Sequence, residues 1–185
     1  MASSSSEPKH RIIRKLFAWE LPYLTYNKAK ASFELKTEGK RFEVRLIWLQ
    51  GHLCQHEDDV MKAEVASVLG DDNPCDIWLF TDRSHSAIPV VLSESVRGGE
   101  RGWINQGSYY SMVATVCAPE TEMEDGASVG RVKLRAKRVI DLDSSLEEGV
   151  DRKKHNEMLE EMWCLEVLQY HQMLAQDDYV DTPET

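Results

Sequence analysis

The chain has 185 residues, of which 22 are basic and 32 acidic, and its formal net charge at pH 7 is −10. The length fits one domain, and a hydrophobic content of 42% is enough for a core. No run of about 18 apolar residues occurs, which excludes a transmembrane helix, and residues 1–15 lack the apolar centre that a signal peptide needs.

The charge is unevenly distributed along the chain. Residues 1–50 carry a net charge of +5, residues 51–140 carry −5, and residues 141–185 carry −10. Neutralisation of phosphates supplies most of the affinity of proteins that bind nucleic acid. So acidic a chain is therefore predicted to bind nucleic acid weakly or not at all by itself.

Composition separates two tails from one domain. Residues 1–9 include the run SSSSEP and are predicted to be a disordered tail. Residues 175–185 are predicted to be an acidic tail. The domain between them covers residues 10–174.

The first part of this domain predicts little regular structure. Apolar residues at helical spacing predict a short amphipathic helix over residues 10–21, which Pro22 ends. Residues 23–41 predict a polar, lysine-rich connection with one short strand at residues 32–36.

Alternating apolar residues then predict five strands, at residues 42–54, 76–81, 86–92, 108–118 and 129–142. Gly51 in mid-strand predicts a bend or bulge, and Pro89 predicts that its strand lies at an edge or bulge. An acidic insert at residues 55–74 has helix-like character and no predicted role.

Five strands without alternating helices exclude a doubly wound α/β fold. Their number and order favour a mainly β protein, a five-stranded OB-fold barrel. A small α+β sheet domain is the alternative. Either domain would be followed by a long helix.

That C-terminal helix is predicted over residues 151–174, which contain neither Gly nor Pro. It has two apolar faces, whereas one is enough to dock a helix on its own domain. Trp163 lies on the second face and either docks the helix on the barrel or contacts a partner. We therefore predict a protein-partner interface, with either face able to take this role, that includes Met158, Met162, Trp163, Leu165 and Leu168.

Four basic residues alternate along the last predicted strand, namely Arg131, Lys133, Arg135 and Lys137. We call them the basic ribbon. In an OB-fold such a ribbon could follow a phosphate backbone. It could equally contact an acidic partner or be the polar, solvent-exposed side of a half-buried strand.

No residue pattern predicts catalysis or a cofactor. His52, Cys54, His56 and Asp58 alternate, but four positions in a row span about 20 Å along a strand and cannot share one metal ion. The four cysteines form no CxxC pair, which predicts reduced, mostly buried thiols in an intracellular protein. The sequence predicts neither an enzyme nor a metal site.

Four segments, in order, resemble the family of RecQ-mediated genome instability protein 2. They are IWLQG at residues 47–51, the short hairpin at residues 77–82 and 87–91, GSYYSMVATV at residues 107–116, and MWCLEVLQY at residues 162–170. Together they span most of residues 12–174. The insert at residues 55–74 and a longer turn at residues 119–128 depart from the family pattern.

The resemblance implies a non-catalytic, nuclear OB-fold subunit. In that family the subunit pairs, through its barrel and C-terminal helix, with the last OB-fold of a larger partner, RecQ-mediated genome instability protein 1. The pair stabilises a complex of Bloom-type helicase and topoisomerase III that dissolves double Holliday junctions. The alternative is a subunit that binds single-stranded DNA in a complex similar to replication protein A or to its telomeric relatives.

Overall fold

The computed structural model describes residues 13–37, 40–55, 76–84, 86–92, 96, 104–105, 107–117 and 133–176. The strands in these residues are β1 (Ile13–Lys15), β2 (Thr25–Asn27), β3 (Ser32–Thr37), β4 (Lys40–Val44), β5 (Leu46–Gln55), β6 (Asp76–Thr81), β7 (Ala87–Leu92), β8 (Tyr109–Val116) and β9 (Leu134–Asp141). A 3₁₀ helix covers Ala18–Tyr23, and one long helix, α1, covers Arg152–Gln176.

Five strands form a closed barrel. They are hydrogen-bonded in the order β5-β6-β7-β9-β8, and β8 pairs back onto β5. The β7–β9 pair is parallel and covers only Val90 and Val91, whereas the other barrel pairs are antiparallel. A five-stranded barrel with these connections, followed by a long helix, confirms the predicted OB-fold.

The barrel core follows from the alternation that predicted the strands. Each strand contributes side chains with no exposed surface, namely Leu49, Phe80, Val90, Met112 and Leu134. Burying a side chain of this size stabilises the fold by roughly 1.5–3 kcal/mol. Gly51 lies in the middle of β5, where the carbonyl oxygen of Thr81 and the ring of Phe80 approach its Cα.

The prediction of a helix over residues 10–21 is wrong. Instead, β1 pairs in parallel with β5, with Ile13 opposite Leu46, and the 3₁₀ helix follows. Pro22 lies inside the 3₁₀ helix rather than after a helix. Pairing with an open edge of β5 satisfies backbone groups that an isolated short helix would leave to water, so tertiary contacts override the helical spacing.

The single strand predicted over residues 42–54 is two strands in two sheets. The chain turns at Arg45, so that β4 pairs with β3 while β5 enters the barrel. The strand predicted at residues 32–36 is β3, and it forms with β2 and β4 a three-stranded antiparallel sheet that we call the meander. The predicted polar connection is therefore a folded sheet beside the barrel.

Two further features differ from expectation. Pro89 lies in a strand that is paired on both sides, but the pairing with β9 begins one residue later, at Val90. Cys54 is exposed and Cys117 and Cys164 are half-buried, so the prediction of mostly buried cysteines is wrong for the described residues. Most of the insert, the N-terminal tail, Cys75 and residues 177–185 of the predicted acidic tail lie outside the described residues, whereas residues 175 and 176 belong to α1.

The 25-residue helix α1 agrees with the prediction to within two residues at each end. Within the described part of the chain, no helix is long and apolar enough to span a membrane.

Candidate partner interface on the C-terminal helix

The inner face of α1 packs on the barrel through two tryptophans. Trp163 is 2% exposed, and its ring lies 5.7 Å from that of Trp48 on β5. The Lys15 ammonium lies 4.6 Å from the Trp48 ring and 5.7 Å from the Trp163 ring, so a cation–π contact joins β1 to both. Trp163 therefore docks the helix on its own barrel, and the structure does not place it on the exposed face.

Polar contacts hold the rest of the helix along β1 and the meander. Lys15 forms an ion pair with Glu166 at 2.7 Å, and the Lys15 carbonyl lies 3.2 Å from Nε2 of His171. Arg14 donates to the Tyr170 hydroxyl at 3.2 Å, and Lys40 donates to the Ala175 carbonyl at 2.8 Å. The seam between α1 and the barrel is therefore fixed along most of its length.

The N-terminal part of the helix is fixed by a buried carboxylate. Asp143, which is 5% exposed, accepts from the backbone N–H of Tyr109 at 3.2 Å and from the Asn156 amide at 3.3 Å. Asn156 also donates to the Gly107 carbonyl at 3.3 Å. Asp143 thus connects the start of β8 to the first turns of α1.

Replacing Asp143 by Ala leaves the Tyr109 N–H and the Asn156 amide without this acceptor. We expect a loss of about 2 kcal/mol in the free energy of unfolding, or about 4–8 °C in Tm, measured by thermal circular dichroism. Asp143→Asn keeps an oxygen acceptor and is the control, with a smaller expected loss. Equal losses in both variants would contradict the role of Asp143 as a hydrogen-bond acceptor.

A second carboxylate, Glu20, connects the 3₁₀ helix to α1. Its Oε2 accepts from the Phe17 N–H at 2.7 Å, and its Oε1 lies 3.6 Å from Nδ1 of His171. Burial raises the pKa of Glu20, although the Phe17 N–H and His171 act in the opposite direction. Glu20 therefore holds its proton to a higher pH in the folded than in the unfolded chain.

This pKa shift predicts a pH dependence of stability. Because the folded chain binds more protons than the unfolded chain between the two Glu20 pKa values, the free energy of unfolding should fall as pH rises through that interval. Glu20→Gln should remove this fall, so that its stability relative to the wild type increases with pH. Urea unfolding from pH 4 upwards measures the effect. The exposed Glu148→Gln variant retains Glu20 and is the control, so its stability should follow that of the wild type across this pH range.

The outer face of α1 carries the predicted interface residues. Met158 and Met162 are each 49% exposed, Leu165 is 68% exposed and Leu168 is 52% exposed. Met173, which the prediction missed, is 56% exposed; its spacing of eight residues from Leu165 was the available signal. We call these five residues the outer stripe.

No charge interrupts the second half of the outer stripe. From residue 162 to residue 176, the exposed residues of α1 are all apolar or uncharged, and Glu166 is half-buried in its ion pair with Lys15. Exposed helix faces of monomeric domains normally carry charged residues. An uncharged face that exposes four large apolar side chains along four turns is typical of a surface that another helix or domain covers.

A groove of about 300 Å³ continues from this stripe towards the barrel. It lies beside the 3₁₀ helix, and its walls include Trp19, Tyr109, Cys164 and Leu168. Burial raises the pKa of the Cys164 thiol, only partly offset by Arg83, so the thiol is a poor nucleophile. Both ring nitrogens of His52 face other groups, the Ser108 carbonyl at 2.9 Å and Glu160 at 3.1 Å.

The basic ribbon is only partly assembled as predicted. Leu134 and Ala136 are buried, Arg135 is half-buried and Lys137 is exposed. Lys133 immediately precedes β9, and Arg131 lies outside the described residues. A bulge, where the β8–β9 register shifts between Val113 and Ala114, interrupts the alternation.

Because of this bulge, Arg138 as well as Lys137 is exposed. A bulge places two residues opposite one and changes the faces beyond it. The strict alternation of the sequence gave no sign of it.

OB-folds that bind oligonucleotides do so on the face of the second and third barrel strands and on the loops after the first and fourth strands. Those strands, β6 and β7, contain neither Lys nor Arg. The two connections have net charges of −5 over residues 56–75 and −3 over residues 118–132. Trp78 on β6 packs partly buried against the core. Among the described residues, this face therefore presents neither the cations nor the exposed aromatic rings of a single-strand site.

Among the residues that the structure describes, no group of three possible metal ligands lies together. His52 and Cys54 lie on β5, and His56 and Asp58 lie outside the described residues. The described histidines and carboxylates that meet, such as His52 with Glu160, form structural contacts of the seam.

No protein-family model and no curated protein matches this sequence. The fold is similar to a chain of a replication protein A heterotrimer bound to ssDNA, with 11% identity, a TM-score of 0.49 and coverage of 88% of this chain and 98% of that one. It is also similar to a chain of the S. pombe Stn1–Ten1 complex, with 12% identity, a TM-score of 0.45 and coverage of 83% and 97%. The OB-fold assignment follows from the strand order described above.

Proposed function

We propose that this chain is a non-catalytic OB-fold subunit of a nuclear DNA-maintenance complex. It binds a larger OB-fold partner, similar to RecQ-mediated genome instability protein 1, through the outer stripe of α1. In this proposal the pair stabilises a complex of a Bloom-type helicase and topoisomerase III for double Holliday junction dissolution.

The observation that carries the proposal is the exposure of the outer stripe on a helix whose opposite face is already docked. The inner face buries Trp163 and Val167, so the stripe is not needed to hold α1 on the barrel. All five of its residues are large apolar side chains that are about half exposed or more, and the first four follow the 3–4 spacing of one helix face. Such a surface loses solvent only in a complex.

The choice of partner is supported by the segments that resemble the family. Trp48 belongs to the first segment, Ser111 to the third and Trp163 to the fourth. Trp48 donates to the Ser111 hydroxyl at 2.8 Å and packs on Trp163. Segments far apart in the sequence therefore form one seam, whose function in this proposal is to present α1 to the partner.

Methionine footprinting tests the proposal. In the free chain, mild peroxide should oxidise Met158, Met162 and Met173, whereas Met112, which is fully buried, should resist. In a complex with a co-expressed partner similar to RecQ-mediated genome instability protein 1, the first three should become protected. Failure to form a complex, or a complex in which these methionines oxidise as in the free chain, would contradict the proposal.

Single-stranded DNA binding on the face of the barrel formed by β6 and β7 is the weaker alternative. The absence of basic residues from β6 and β7 and the acidic connections on either side oppose it.

A further inference from the structure

The outer face of the meander carries an unusual pair of cations. Lys36 on β3 and Arg41 on β4 lie directly opposite each other, and both are exposed. Like charges in directly opposite positions destabilise a sheet. Among the described residues, Arg41 has one carboxylate within reach, Glu34 at 4.0 Å, and Lys36 has no ion-pair partner.

The two cations line a groove of about 550 Å³, together with Tyr26, Lys28 and Glu34. Among the described residues of its wall, Glu34 is the one acidic side chain, and this carboxylate is already bound by the Asn27 amide at 2.8 Å and by Lys30 at 3.5 Å. The groove is therefore net positive. It lies in the part of the sequence that is basic, since residues 13–45 carry net +4 in a chain of net −10.

One aromatic ring lines this groove, and two exposed rings precede it in the chain. Tyr26 lines it, and Tyr23, two residues before the lining residue Thr25, is 70% exposed. Trp19 is 47% exposed and contacts Tyr23, with ring centroids 6.3 Å apart. Cations that follow a backbone, beside rings on which bases stack, are the features of sites for single-stranded nucleic acid.

We propose that the meander groove binds single-stranded nucleic acid, with its three lining cations, Lys28, Lys36 and Arg41, on phosphates and Tyr23 stacking on a base. The exposed rings favour this ligand over an acidic peptide, which needs cations alone. The residues that line the meander groove include none from β6, β7 or the outer stripe, so the inference is independent of the proposed function. With about three phosphates neutralised, binding is weak at physiological salt, with Kd on the order of 10 µM or higher.

The test measures fluorescence anisotropy of a labelled 15-nucleotide oligo-dT with the full chain, at a series of salt concentrations. Log affinity should fall against log salt with a slope of about −2, as three neutralised phosphates require. Lys36→Glu with Arg41→Glu should weaken binding at least about tenfold. Tyr23→Ala should weaken it several-fold without changing the slope.

The matched control is Lys153→Glu with Lys154→Glu at the start of α1, where both residues are exposed. It changes the net charge by the same amount and should alter affinity less than about threefold, because it leaves the groove intact. Equal losses in the two double variants would overturn the proposal, because binding would then follow net charge alone. It would also be overturned if no binding occurs at 50 mM salt, or if a labelled poly-glutamate peptide binds as tightly as oligo-dT.

Discussion

Met162→Lys combined with Leu165→Glu should abolish binding of the partner while leaving the isolated chain folded. Both side chains lie on the outer stripe and are 49% and 68% exposed in the free chain. In the complex both new charges would be desolvated, at a cost of several kcal/mol that an ion pair between these neighbouring positions offsets only in part. A few central residues carry most of an interface's affinity, so we expect the Kd to rise by at least about a thousandfold.

Co-purification and titration calorimetry measure this loss, and thermal circular dichroism measures folding. Ile140→Glu with Val150→Lys is the matched control, because these apolar residues are 42% and 47% exposed and neither belongs to the outer stripe. It makes the same kinds of change and should not affect binding. If the α1 variant binds normally, or if both variants lose binding alike, the outer stripe is not the interface.

Gly51→Ala should be among the most destabilising single substitutions in the barrel. A Cβ at this position would lie 2.2 Å from the Thr81 carbonyl oxygen and 2.8 Å from Cζ of Phe80. Neither neighbour has room to move, because the Thr81 oxygen belongs to the backbone of the paired strand β6 and the Phe80 side chain is fully buried. We expect a loss of about 3 kcal/mol or more in the free energy of unfolding, equivalent to about 6–12 °C in Tm.

Gly107→Ala is the comparison for this effect. Apart from its chain neighbours, no described residue has an atom within 4 Å of a Cβ at Gly107, but the φ of +86° is unfavourable for alanine. That variant should lose only about 1 kcal/mol. A Gly51→Ala protein that melts within about 2 °C of the wild type would mean that β5 and β6 are spaced more widely at this point.

The sequence predicted the barrel well because its signals are local. Strand β5 alternates between buried and half-buried positions over most of its length, and β8 does so over its central part. Gly51, predicted to mark a bend or bulge, lies where β6 approaches β5 closely. The two faces of α1 were also visible from residue spacing. Which face docks was not, because that depends on Trp48 and Lys15, more than 100 residues away.

The errors arose where a distant strand decides local structure. The Ile13–Lys15 segment has helical spacing, yet it pairs with β5 because that edge is open. The break at Arg45 has neither Gly nor Pro, since it exists only because β4 and β5 belong to different sheets. The meander groove was missed for the same reason, because Lys36 and Arg41 become neighbours only through the β3–β4 register.

The contact between the first strand and the last helix affects how the domain folds. Lys15 pairs with Glu166, and Arg14 with Tyr170, across separations of 151 and 156 residues. Contacts that close such long loops form late, and during synthesis they cannot form until the residues of α1 have been made. We therefore expect α1 to be fixed on the barrel only in a completed domain, so that a partner which recognises the docked helix would discriminate against truncated or unfinished chains.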